Sequence, residues 1–108
     1  MKKRERQRLL ERQSGIRLEM AAIDELVRQL LDERALLSEG MALVKMALGE
    51  ETHNPGLEER KLGLLCRRPR KSRMAPPFLR SVFVLTFDES RRIQRVSRSW
   101  RRATTTPK

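Results

Sequence analysis

Ile16, Met20, Ile23, Val27, Leu30, Arg34, Leu37, Met41, Val44 and Leu48 follow one another in steps of four and three. That spacing is the seam of a long helix built to pack against other helices. A strand alternates every second residue and cannot carry it. Every member of the seam is apolar except Arg34. A guanidinium in an apolar seam is costly unless an anionic group meets it. Lys45 follows Arg34 by eleven residues. At about 100° per residue it returns to within about 20° of Arg34, about 16 Å along the axis. Two fixed cations on one helix face point to a dicarboxylate or phosphate ligand.

The chain has 108 residues and a formal net charge of +11, which favours an anionic partner without identifying it. So short a chain buries a modest core. The apolar seam therefore predicts an oligomer that completes it. Cys66 and His53 are each the sole residue of their type. A disulfide, a cysteine-cluster metal site and a Cys/His nucleophile pair are all disfavoured, so no metal is expected. The basic start has no apolar core of a secretory signal, and no apolar run suits a membrane span. These features predict a cytoplasmic protein without a membrane partner.

Residues 1–15 read as a basic lead-in that continues into the first helix, with i,i+3 and i,i+4 charge pairs among Arg4, Glu5, Arg8, Glu11 and Arg12. Gly49 is the expected C-cap of the long helix. Asn54-Pro55, with Glu58 in the following turn, is a helix-start signal and predicts a second helix over 55–65. A basic connector, CRRPRKSRM, spans 66–74 and is broken by Pro69. Pro76-Pro77 opens a third helix, although SVFVLTF taken alone has the composition of a strand. Residues 99–108 read as a polar tail. The expected fold class is all-α: a three-helix chain with one long N-terminal helix.

Polar residues fall on these helices in pairs. Asn54 and Glu58 lie one turn apart, as do Ser90 and Gln94. Arg17 precedes Arg34 by seventeen residues and so points about 100° away from it around the helix. It serves the same pocket only across an antiparallel dimer. The stretch IRLEMAAIDELVRQLLDERALLSEGMALVK, together with PPFLRSVFVLTFDESRRIQ, resembles the all-helical type II (AroQ-class) chorismate mutases. The likeness covers about residues 16–94 of a domain drawn at 16–98.

The resemblance implies an intertwined homodimeric helical bundle with two active sites, and an isomerase that rearranges chorismate to prephenate in aromatic amino-acid biosynthesis toward Phe and Tyr, without a cofactor. It assigns the substrate carboxylates to Arg34 and to Arg17 of the partner subunit, with Ser90 hydrogen-bonding one of them. Lys45 and Gln94 would donate to the ether oxygen, and Glu58, with Asn54, would hold the ring hydroxyl. Two positions depart from the family: Asn54 stands where an acid is usual, and Leu57 where an arginine is usual. The loss of that cation keeps open an isochorismate pyruvate lyase or an aminodeoxychorismate mutase on the same fold.

Each residue also has a plainer reading. Arg34 alone would be an interface-paired or snorkelling arginine. Asp24 supports the helix, His53 is a solvated loop residue, Cys66 is a small apolar contact and Trp100 a packing residue. The runs CRRPRKSR and RRIQRVSRSWRR read as solvated faces. A catalytically degenerate basic binding protein is the alternative from another class. Nucleic acid is disfavoured as a partner, because these runs lack interleaved aromatics and a recognisable binding motif.

Overall fold

The protein is described by a computed structural model covering residues 1–67 and 73–104. It contains three helices: α1 (Lys3–Leu48), α2 (Pro55–Leu65) and α3 (Pro76–Thr104). The segment SVFVLTF is helical, inside α3. Most of the basic connector, residues 68–72, and the last four residues of the tail lie outside the described residues. None of the described helices is long and apolar enough to cross a membrane.

Helix boundaries follow the local chemistry. Gly15 lies inside α1, where its cost of about 1 kcal/mol relative to alanine is spread over a long run of good helix formers. Gly49 ends α1 at φ +70°. Its N–H reaches Met46 O at 3.2 Å, and Glu50 N–H reaches Lys45 O at 2.8 Å. This is the paired closure of a Schellman motif, which favours glycine at that φ. Asn54 caps α2, its Oδ1 accepting from Leu57 N–H at 3.1 Å, and Pro55 takes the first helical position. The polar tail was expected from 99. Instead α3 runs on to Thr104, since Arg101, Arg102 and Ala103 are good helix formers.

The chain divides into two units, Met1–Glu33 and Arg34–Lys108. The first is the N-terminal part of α1, and all of its residues are exposed. Arg28 sits between Glu25 and Asp32, at 2.6 Å and 2.7 Å. The Arg28 guanidinium holds the Glu25 carboxyl below its ordinary range, and Glu25 in turn raises Arg28.

The second unit has a small core of Ala42, Leu62, Leu79 and Phe87, with Ser38 and Gln94 as its buried polar members. Along α3 the inward stripe is Leu79, Phe83, Phe87, Ser90, Gln94 and Arg98, apolar in its first half and polar in its second. Along α1 the inward stripe is Arg34, Ser38, Ala42 and Lys45. Within the chain, then, α1 packs through a small and polar stripe. The apolar seam beside it stays open: Leu37 is 74% exposed, Val44 54% and Leu48 65%. Of the leucines of α2, Leu62 is buried while Leu57, Leu64 and Leu65 are exposed, and Trp100, read as a packing residue, is 70% exposed on α3.

Candidate functional site

The second unit encloses a cavity of about 390 Å³ between its part of α1, the 50–54 turn, α2 and α3. Arg34, Lys45, Asn54, Glu58, Ser90 and Gln94 all line it. These six were singled out in the sequence across a span of sixty residues. Arg17, the seventh, is exposed on the Met1–Glu33 unit.

The two α1 cations are held by neutral groups. Arg34 is half-buried, with its guanidinium carbon 5.5 Å from the Phe87 ring centroid and its Nη1 3.5 Å from Thr86 O. Lys45 donates from Nζ to Thr52 O at 2.9 Å. It lies in the last turn of α1, where the helix dipole favours a cation. Among the described residues neither forms an ion pair. Glu50 and Glu58 line the same cavity, but Arg34 and Lys45 donate to backbone carbonyls instead, an arrangement that can receive an anion.

A directed chain of hydrogen bonds crosses from α3 to α1. Gln94 Nε2 donates to Ser90 Oγ at 3.3 Å, and Ser90 Oγ lies 2.6 Å from Ser38 Oγ. Ser38 Oγ donates to Arg34 O at 3.0 Å. Ser38 has a single hydroxyl proton, so spending it on Arg34 O makes Ser90 the donor to Ser38. Gln94 is 6% exposed, and its Oε1 is buried without a partner among the described residues. A buried amide left half-satisfied is the kind of group that a ligand completes.

Glu58 opens α2, where the helix dipole favours a carboxylate. One of its oxygens, Oε2, is gripped by Arg91 Nη1. The other, Oε1, is 3.6 Å from His53 Nδ1, an ion pair only when that imidazole is protonated. Asn54 is exposed at the cavity wall, and the Leu57 N–H occupies its Oδ1. Its role as helix cap thus draws on the same oxygen that a ligand hydroxyl would need.

Sequence reasoning passed over Ser38, Phe87 and Arg91, all of which line the cavity. Ser38 carried a signal, since it falls four residues after Arg34 and seven before Lys45, on their stripe. Arg91 carried none. His53, read as a solvated loop residue, is half-exposed but stands beside Glu58. Arg98 donates from α3 to Glu50 O and ties down the turn that carries Thr52 and Asn54.

A model of the family "Chorismate mutase type II" matches residues 16–95, nearly three quarters of the chain. No curated protein and no solved structure matches it.

Proposed function

The chain belongs to the chorismate mutase type II family, and we propose that it converts chorismate to prephenate as a homodimer. The supporting observation is the cavity of one subunit, in which two cations free of protein carboxylates, Arg34 and Lys45, meet the buried amide of Gln94.

The rearrangement is unimolecular. One carbon–oxygen bond of the ether breaks as one carbon–carbon bond forms, with no proton or electron gained or lost. The protein therefore needs neither nucleophile nor base. It must hold a compact, chair-like conformer and stabilise the charge that grows on the ether oxygen. Arg34 suits a substrate carboxylate, because its planar fork binds two oxygens at once. Lys45 keeps two N–H groups beyond its bond to Thr52 O, enough to serve a carboxylate and the ether oxygen together. Gln94 Nε2 has one N–H beyond its bond to Ser90, suited to the same oxygen. Glu58 Oε1 accepts the ring hydroxyl. Ser90 reaches a carboxylate by turning its proton away from Ser38.

The partner subunit adds Arg17 to each site. The exposed seam of Ile16, Met20, Ile23, Val27 and Leu30, each at least 45% exposed, supports a dimer that covers it. The proposed setting is the cytoplasm, in the biosynthesis of Phe and Tyr.

The test is purified protein with chorismate, following the loss of its ultraviolet absorbance and identifying the product. Prephenate at an enzymatic rate is expected. Release of pyruvate from isochorismate, with chorismate left unchanged, would replace the mutase with a lyase on this fold.

A further inference from the structure

Four cations line the cavity within one subunit, Arg34, Lys45, Lys61 and Arg91, and they are not equivalent. Arg34 and Lys45 donate to backbone carbonyls and keep their charge available. Arg91 is spent on carboxylates, Nη1 on Glu58 Oε2 and Nη2 on Asp88 Oδ1. Its side chain is 20% exposed, and that of Glu58 24%. At such burial an ion pair is screened far less than on an open surface. Asp88, one turn earlier on α3, anchors the guanidinium from behind. The Arg91–Glu58 contact bridges α3 to the first turn of α2.

A guanidinium held by two protein carboxylates is a poor receptor for a third carboxylate on a ligand. It is well placed to fix the direction of one it already holds. A carboxylate offers about four lone-pair sites, and the grip on Oε2 leaves those of Oε1, 3.6 Å from His53 Nδ1, for a further donor. Leu57, the residue before Glu58, is apolar and lines the same wall, and the cation that α2 brings to the cavity is Lys61, one turn further on.

We propose that Arg91 is the positioning residue of this site. It holds Glu58 so that Oε1 accepts the ring hydroxyl of the substrate. The assignment deepens the mutase reading and rests on it for the identity of the hydroxyl.

Calorimetric binding of two probes to the full-length chain tests the assignment. Both are rigid bicyclic ether dicarboxylates shaped like the chair-like transition state, one with the ring hydroxyl and one without. Wild type should prefer the hydroxylated probe by about 10- to 100-fold, the range for one hydrogen bond to a charged group. Arg91→Gln should bring that preference close to one, with affinity for the deoxy probe falling far less than affinity for the hydroxylated one. Adding Glu58→Gln to Arg91→Gln should change nothing more. Should Arg91→Gln fail to fold, Arg91→Lys carries the test, because it keeps the charge and loses the two-armed grip. Its preference should fall with deoxy affinity intact. Equal loss for both probes, or an unchanged preference, overturns the assignment. The titration does not depend on turnover. A wild-type chain that shows the preference yet leaves chorismate unchanged sinks the mutase reading and keeps the role of Arg91. A wild-type chain without the preference sinks the role of Arg91, whatever its turnover.

Discussion

Ser38 Oγ on α1 and Ser90 Oγ on α3 lie 2.6 Å apart, and this hydroxyl pair joins the two helices at the cavity wall. Ser38 is 5% exposed, so water cannot readily replace a lost partner. Ser38→Ala removes the acceptor of Ser90 and the donor to Arg34 O together. The expected cost is about 1–2 kcal/mol of stability, read from the shift of the urea midpoint at constant slope. Ser90→Ala in the Ser38→Ala background should add much less than it does alone, because the two share one interaction. Full additivity would show that the pair contributes nothing.

Gln94→Ala should leave the helical circular dichroism in place and lower kcat by about 100- to 1,000-fold, the effect of removing one donor from a developing oxyanion. KM should move far less, since the ether oxygen gains its charge only in the transition state. A change confined to KM would place Gln94 in ground-state binding instead.

The three helices were legible because their signals are local. Gly49, Asn54-Pro55 and Pro76-Pro77 punctuate the chain, and the structure ends or begins a helix at each. Six of the seven candidate residues line one cavity, because helical spacing fixes which of them share a face. What spacing cannot give is rotation of one helix against another. The apolar seam through Leu37, Met41 and Val44 was the obvious packing face, yet within the chain α1 turns Ser38 and Ala42 inward. Arg91 escaped notice for the same reason. It is one of several arginines on α3, and only the approach of α2 distinguishes it, by bringing Glu58 against it. The end of α3 was missed because a polar segment rich in arginine reads equally as helix or tail.

Glu25 and Arg28 give a pH dependence outside the cavity. Arg28 depresses the Glu25 carboxyl below its ordinary value of 4.5, mainly through their hydrogen bonds. A group whose folded value is depressed contributes stability above its unfolded value and loses it as pH falls through the folded one. Helicity near residues 25–32 should therefore hold at pH 4.5 and weaken only below it. A carbon-13 titration of the Glu25 carboxyl checks this, with the midpoint returning to the ordinary value in Arg28→Ala. Raised salt should shrink the difference, because both side chains are exposed.

Arg17 and Arg34 belong to different units of the chain, and the proposed dimer pairs the Arg34 of one subunit with the Arg17 of the other. Arg17→Ala and Arg34→Ala should each be nearly inactive with chorismate while remaining helical dimers. When the two are unfolded together and refolded in equal amounts, half of the dimers are mixed. In a mixed dimer one site carries both substitutions and the other carries neither. Intact sites are then about a quarter of the total, so turnover should recover to about a quarter of the wild-type value. Recovery near that level requires a site shared between subunits. No recovery, in a mixture shown by mass spectrometry to contain the mixed dimer, would mean that Arg17 acts in its own subunit or not at all.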